Sequence, residues 1–152
     1  MKHKLLYLLP LLLALGTGCL KSSMDNTLPP PPAPSGTFKG QFRYIHRKTD
    51  KVPFDTLKAN ITLNMLTTNN TYTVTGDTAT VHAGSYGTFS RMAPYLIFTD
   101  ITNPATGTPL KKHLNGAYIY YYDGTTFQMQ AYSSDPYGSD TLRVQYDLKK
   151  VN

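Results

Sequence analysis

The chain has 152 residues, a formal charge of +6, nine acidic residues, all of them Asp, and 12 Tyr but no Trp. Loss of Lys2 and Lys4 with a leader lowers that charge to about +4, and the remaining cations are scattered. The basic stripe with interleaved aromatics that nucleic acid requires is missing, so nucleic-acid binding is excluded.

The chain opens "MKHKLLYLLPLLLALGTGCLKSS". Lys2 and Lys4 form a positive n-region, Leu5 to Leu15 a short apolar stretch, and Gly16, Thr17 and Gly18 the small residues a signal peptidase needs. The apolar run is shorter than the roughly 20 residues needed to cross a bilayer. Residues 1–18 therefore read as a secretory signal. The single cysteine, Cys19, follows those small residues at once, as in a bacterial lipobox, although Gly16 stands where a larger aliphatic residue is usual. An unpaired thiol suits an oxidising compartment poorly. Acylation of Cys19 removes the problem and makes it a lipid attachment site. Leu20, directly after Cys19, gives no acidic retention signal, so the expected location is the outer membrane, on either face.

Residues 19–35 continue as a tether. Four consecutive prolines, Pro29 to Pro32, favour an extended polyproline spacer, and at about 3 Å per residue the stretch reaches roughly 50 Å. The folded domain is expected over residues 36–152. There, apolar residues alternate with polar ones in short runs at 38–46, 57–65, 70–76, 79–83, 85–91, 95–100, 114–124, 125–133 and 140–150. Period-2 alternation bounded by Gly, Asp, Asn and Pro signals strands. Eight or nine are expected. The connections "TTNN", "TGDT", "YDGTT" and "SDPYGSD" have hairpin chemistry, clearest at Asp123-Gly124. Only residues 99–115 are long enough for a mobile loop. Short antiparallel strands in sequence order, with no helix to cover a sheet, predict an all-β fold: an up-and-down meander of about eight strands closed into a barrel, because closure removes exposed edges.

The stretches "SGTFKGQF", "GTFSRMAPYLIFTD", "LNGAYIYYYDGTTFQM" and "YDLKKV" resemble the small lipocalin-like lipoproteins of the Bacteroidota type, over residues 36 to 150. The resemblance implies a lipocalin-like barrel behind a lipobox and tether. The wider lipocalin pattern begins with Gly-x-Trp, and here Gly36, Thr37 and Phe38 stand at those positions.

Candidate residues follow from the alternation. Tyr118, Tyr120 and Tyr122 share one face of their strand, while Ile119 and Tyr121 share the other. With Phe42, Tyr44, Phe127 and Met129 they are the expected lining of an aromatic interior for a small hydrophobic or amphipathic ligand, or for a sugar stacked on a ring. The alternative is a protein-interaction or inhibitory module acting through loop 100–113 and the barrel rim. No catalytic or cofactor-binding constellation is found, so the chain reads as a monomeric, non-enzymatic protein without a cofactor. His46, His82 and His113 lack metal-type spacing and are expected at the surface or rim.

Overall fold

Eight strands follow one another, with no helix between them among the described residues: β1 (Gly36–His46), β2 (Asp55–Leu66), β3 (Thr71–Gly76), β4 (Tyr86–Met92), β5 (Tyr95–Asp100), β6 (Gly116–Tyr122), β7 (Thr126–Tyr132) and β8 (Thr141–Val151). The computed structural model describes residues 32–47, 53–107, 109–132 and 141–151. The expected signal, Cys19, most of the tether and the 134–140 hairpin lie outside the described residues. Each strand pairs antiparallel with the next, and β1 pairs with β8, so the meander closes into the expected barrel.

Alternation decides which side chains face inward. Phe38 and Phe42 on β1, Ala59, Ile61, Leu63 and Met65 on β2, and Tyr72 and Val74 on β3 are buried. Their neighbours Lys39, Asn60, Asn64 and Thr73 are exposed. Leu57 has inward register but is exposed, because the first residues of β2 run past the barrel mouth. Packing begins ahead of β1: Pro34 is buried, and the Ser35 hydroxyl donates to the Met65 carbonyl at 3.4 Å.

Gly40 sits inside β1 between Ile61 and Leu148. A Cβ there would lie 2.1 Å from the Asp147 carbonyl oxygen, so only glycine allows β1 and β8 to cross so closely. The expected Asp-Gly hairpin is present: Gly124 has φ 100°, and the Asp123 carboxylate accepts the Thr125 and Thr126 N–H groups at 2.8 and 2.6 Å. Those donors, Thr126 first, hold the Asp123 carboxyl below its usual range.

One expected strand is not found. Residues 79–83 do not join the sheet; residues 78–81 form a turn, and His82 makes a single parallel pair with Lys112. The physical reason shows in the burial: His82 and Ala83 are consecutive and both buried, which a strand with one face outward does not permit. This segment instead folds into the mouth of the barrel.

Candidate functional site: the loop-bearing end of the barrel

The two ends of the barrel differ. One end carries the short connections 67–70, 93–94 and 123–125. The other carries every long one: 47–54, 77–85, 101–115 and 133–140. Of these, 77–85 and 101–115 are joined by backbone bonds. The Ala83 N–H donates to the Lys112 carbonyl and the Lys112 N–H to the Val81 carbonyl, both at 2.9 Å. Lys111 Nζ adds a bond to the Thr78 carbonyl at 2.8 Å. The joined loops push His82 and Leu114 into the barrel, both at 0% exposure.

His82 packs edge-on against Phe42, with ring centroids 4.6 Å apart. Its Nδ1–H donates to its neighbour's carbonyl, that of Ala83. A carbonyl only accepts, so Nδ1 carries the proton and Nε2 accepts from the Tyr146 hydroxyl at 2.9 Å. Burial lowers the His82 pKa to about 4, so the ring is neutral at pH 7. The Tyr146 hydroxyl in turn bonds the Tyr118 hydroxyl, whose pKa burial pushes up to about 12. Burial raises Tyr146 well above the ordinary phenol range. The Tyr72 hydroxyl donates to the Leu114 carbonyl at 2.5 Å, and burial, then the Asp100 charge, raises its pKa also. These phenols stay protonated and serve as donors.

Loop 101–115 is held at both of its ends. The Asp100 side chain is fully buried. Its Oδ1 accepts the Thr102 N–H at 2.7 Å and the Thr102 hydroxyl at 2.6 Å, and its Oδ2 accepts His113 Nδ1–H at 2.8 Å. The Asp100 N–H donates to Asn115 Oδ1 at 3.1 Å. Carboxylate and imidazole thus bind the first and last residues of the loop to one point. Between them Ile101 and Leu110 face solvent, Leu110 at 104% exposure. Around the mouth, cations lie over aromatic rings: Lys112 over Tyr44 at 4.3 Å, Arg47 over Phe54 at 5.8 Å and Arg143 over Tyr132 at 5.9 Å. His46 stacks on Tyr44 with centroids 4.8 Å apart.

The seven expected lining residues do not form one open site. Phe42 and Tyr118 pack on Tyr146, at 5.0 and 5.6 Å. Tyr122 and Phe127 pack on Phe38, at 5.6 and 4.9 Å. Met129 is buried facing Tyr146 across the sheet. Tyr120 is half-buried against the same core, and Tyr44 lies at the mouth under Lys112. These side chains fill the interior by touching one another. A shallow cleft of about 130 Å³ lies on the wall formed by β6, β7 and β8, lined by Ile119, Tyr121, Gln128 and Gln130 among others. That is smaller than the roughly 300–1,000 Å³ of usual ligand sites.

The histidine expectation needs correcting at one position. His46 and His113 do sit at the rim, with side chains 12% exposed, whereas His82 is wholly buried and plugs the mouth. His82, Asp100, Tyr146 and Leu114 were not foreseen as parts of the site. The signal available was "VHAGS", where apolar and small residues run together without alternation. Among the described residues, no cluster of three His, Cys, Asp or Glu side chains is placed to hold a metal ion. Comparison with known protein families, curated proteins and solved structures finds no match to this chain.

Proposed function

We propose that this protein is a lipoprotein anchored through Cys19 in the outer membrane, whose filled barrel presents loop 100–113 and the surrounding rim to a protein partner. The observation that carries this reading is the pairing of a packed interior with a loop that is braced and still apolar at its surface. Asp100, Thr102 and His113 fix the loop's two ends, and Lys112 ties it to its neighbour. Ile101 and Leu110 stand exposed on it. Loop ends fixed before binding reduce the conformational freedom lost on docking, which favours recognition of a folded partner. The role is non-catalytic and the protein acts as a monomer on the membrane. The lipocalin-like resemblance supplies the anchor, tether and barrel arrangement, and a barrel of this size either fills itself or holds one small ligand. Filling favours the interaction role here.

Capture from detergent-solubilised envelope tests this. The acylated full chain is compared with a variant carrying Ile101→Ser and Leu110→Ser, both exposed positions. The proposal expects one partner held by the first and lost by the second, with equal thermal stability. Equal capture by both overturns the loop assignment. A rise in Tm with a lipid or glycan, and none with any envelope protein, would instead establish the small-ligand role. Membrane fractionation of Cys19→Ser tests the anchor; a variant that stays membrane-bound overturns it.

A further inference from the structure

The opposite end of the barrel carries an apolar surface that the loop-end reading does not use. Met92, Tyr95 and Ile119 are direct cross-strand neighbours on β4, β5 and β6. All three point outward, at 61%, 39% and 42% exposure, and Tyr121, two residues beyond Ile119, is 57% exposed. The turn between Met92 and Tyr95 is Ala93-Pro94, also exposed. Strand pairing on a barrel wall ordinarily puts polar groups outside, as Thr62–Thr75 and Asn64–Thr73 do on β2 and β3. An apolar row that ends in an apolar hairpin tip departs from that pattern.

Cations outnumber carboxylates at this end. Lys39, Arg91, Lys149 and Lys150 are exposed there, against the exposed Asp123 among the described residues. Asp147, one step further along β8, is held by Arg43. Gly36, the first residue of β1, lies at the same end, because Gly36 faces Met65 at the close of β2. The chain therefore enters β1 at the same end as the apolar row, across the barrel from β4 and β5.

Resting on the lipid-anchor reading, we propose that this end docks on the lipid surface: Met92, Pro94, Tyr95 and Tyr121 enter the interface while the four cations meet anionic headgroups. Tyrosine together with Lys and Arg at one end is the composition that settles at a membrane–water boundary. The tether is long enough to let the barrel leave the surface, yet it keeps the patch at an effective concentration of about millimolar, so a weak contact suffices. Docking by this end turns the loop-bearing end outward, away from the bilayer and toward a partner.

The absence of tryptophan allows a direct test with single reporters. Met92→Trp, Tyr121→Trp and, at the loop-bearing end, Tyr132→Trp replace exposed side chains and leave the core intact. Each full-length acylated chain is placed in vesicles of phosphatidylethanolamine and phosphatidylglycerol that carry lipids brominated on their acyl chains. Emission at positions 92 and 121 should shift to the blue and fall by roughly half or more, as expected for a ring 5–10 Å into the interface, while position 132 stays unquenched. Equal quenching at 92 and 132, in protein that floats with the vesicles, overturns the docking and leaves the anchor standing. Protein that does not float overturns the anchor and the docking together. A blue shift at 92 without vesicles assigns the patch to a second copy of the chain and also overturns the proposal.

Discussion

Acidification probes the buried His82 most directly. In the unfolded chain an imidazole binds its proton near pH 6.5, whereas inside the barrel burial delays that to about pH 4. Hydrogen bonding to the Ala83 carbonyl and the Asp100 charge favour the proton, and His113 opposes it, but desolvation is the largest influence. Between pH 4 and 6.5 the unfolded state binds more protons than the folded one, so stability falls as pH is lowered through that window. A fall of about 2.5 pH units at 1.36 kcal/mol each amounts to about 3 kcal/mol. The ring is fully buried, so solvent screening does not reduce the figure. Domains of this kind are stable by roughly 5–15 kcal/mol, which makes the loss large. Urea unfolding of the wild type and of His82→Gln, at steps from pH 7 to pH 4, measures it. Gln stays neutral throughout, so its stability should fall by about 3 kcal/mol less over the window, whatever its stability at pH 7. Parallel pH profiles for the two proteins would refute the claim that His82 is held neutral inside the barrel.

Four further outcomes are expected. Gly40→Ala places a methyl against the Asp147 carbonyl and should cost about 3 kcal/mol in urea unfolding, the upper part of the range for overpacking. Phe127→Ala removes a buried ring that touches Phe38, Tyr120 and Tyr122 and should cost roughly 3–5 kcal/mol by the same measurement. Arg43 and Asp147 are an ion pair with side chains 34% and 26% exposed, so a double-mutant cycle should return a coupling of about 1 kcal/mol or less. Asp100→Asn loses the charged acceptor for His113, and limited proteolysis should then cut within residues 101–112 faster than in the wild type, with the strands still protected.

The barrel was legible because its signal is repeated along the chain. "LKANITLNM" and "FKGQFRYIH" alternate so regularly that inward and outward positions follow from the period alone. The meander order follows from the short connections. What the sequence did not disclose depends on contacts between segments distant in the chain. His82 meets Tyr146, 64 residues away, and the loss of alternation at "VHAGS" does not name that partner. Alternation puts the aromatic residues on the inward face, but the volume enclosed by a barrel depends on how far its loops enter it. Leu114 and His82 enter fully, and no periodicity records that. Asp100 and His113 are 13 residues apart in a stretch whose composition suggests only a loop.

The pairing of β1 with β8 has a consequence for how the protein is made. Thr37 pairs with Val151, and Tyr44 with Val144, so the earliest and latest strands of the domain are hydrogen-bonded neighbours over their length. Until β8 has left the ribosome, β1 and β7 each present an unpaired edge to other chains. Contacts of such large sequence separation also form slowly, because loop closure precedes their reward. Folding therefore finishes late and all at once, and a partly made or trimmed chain is exposed to strand-by-strand aggregation.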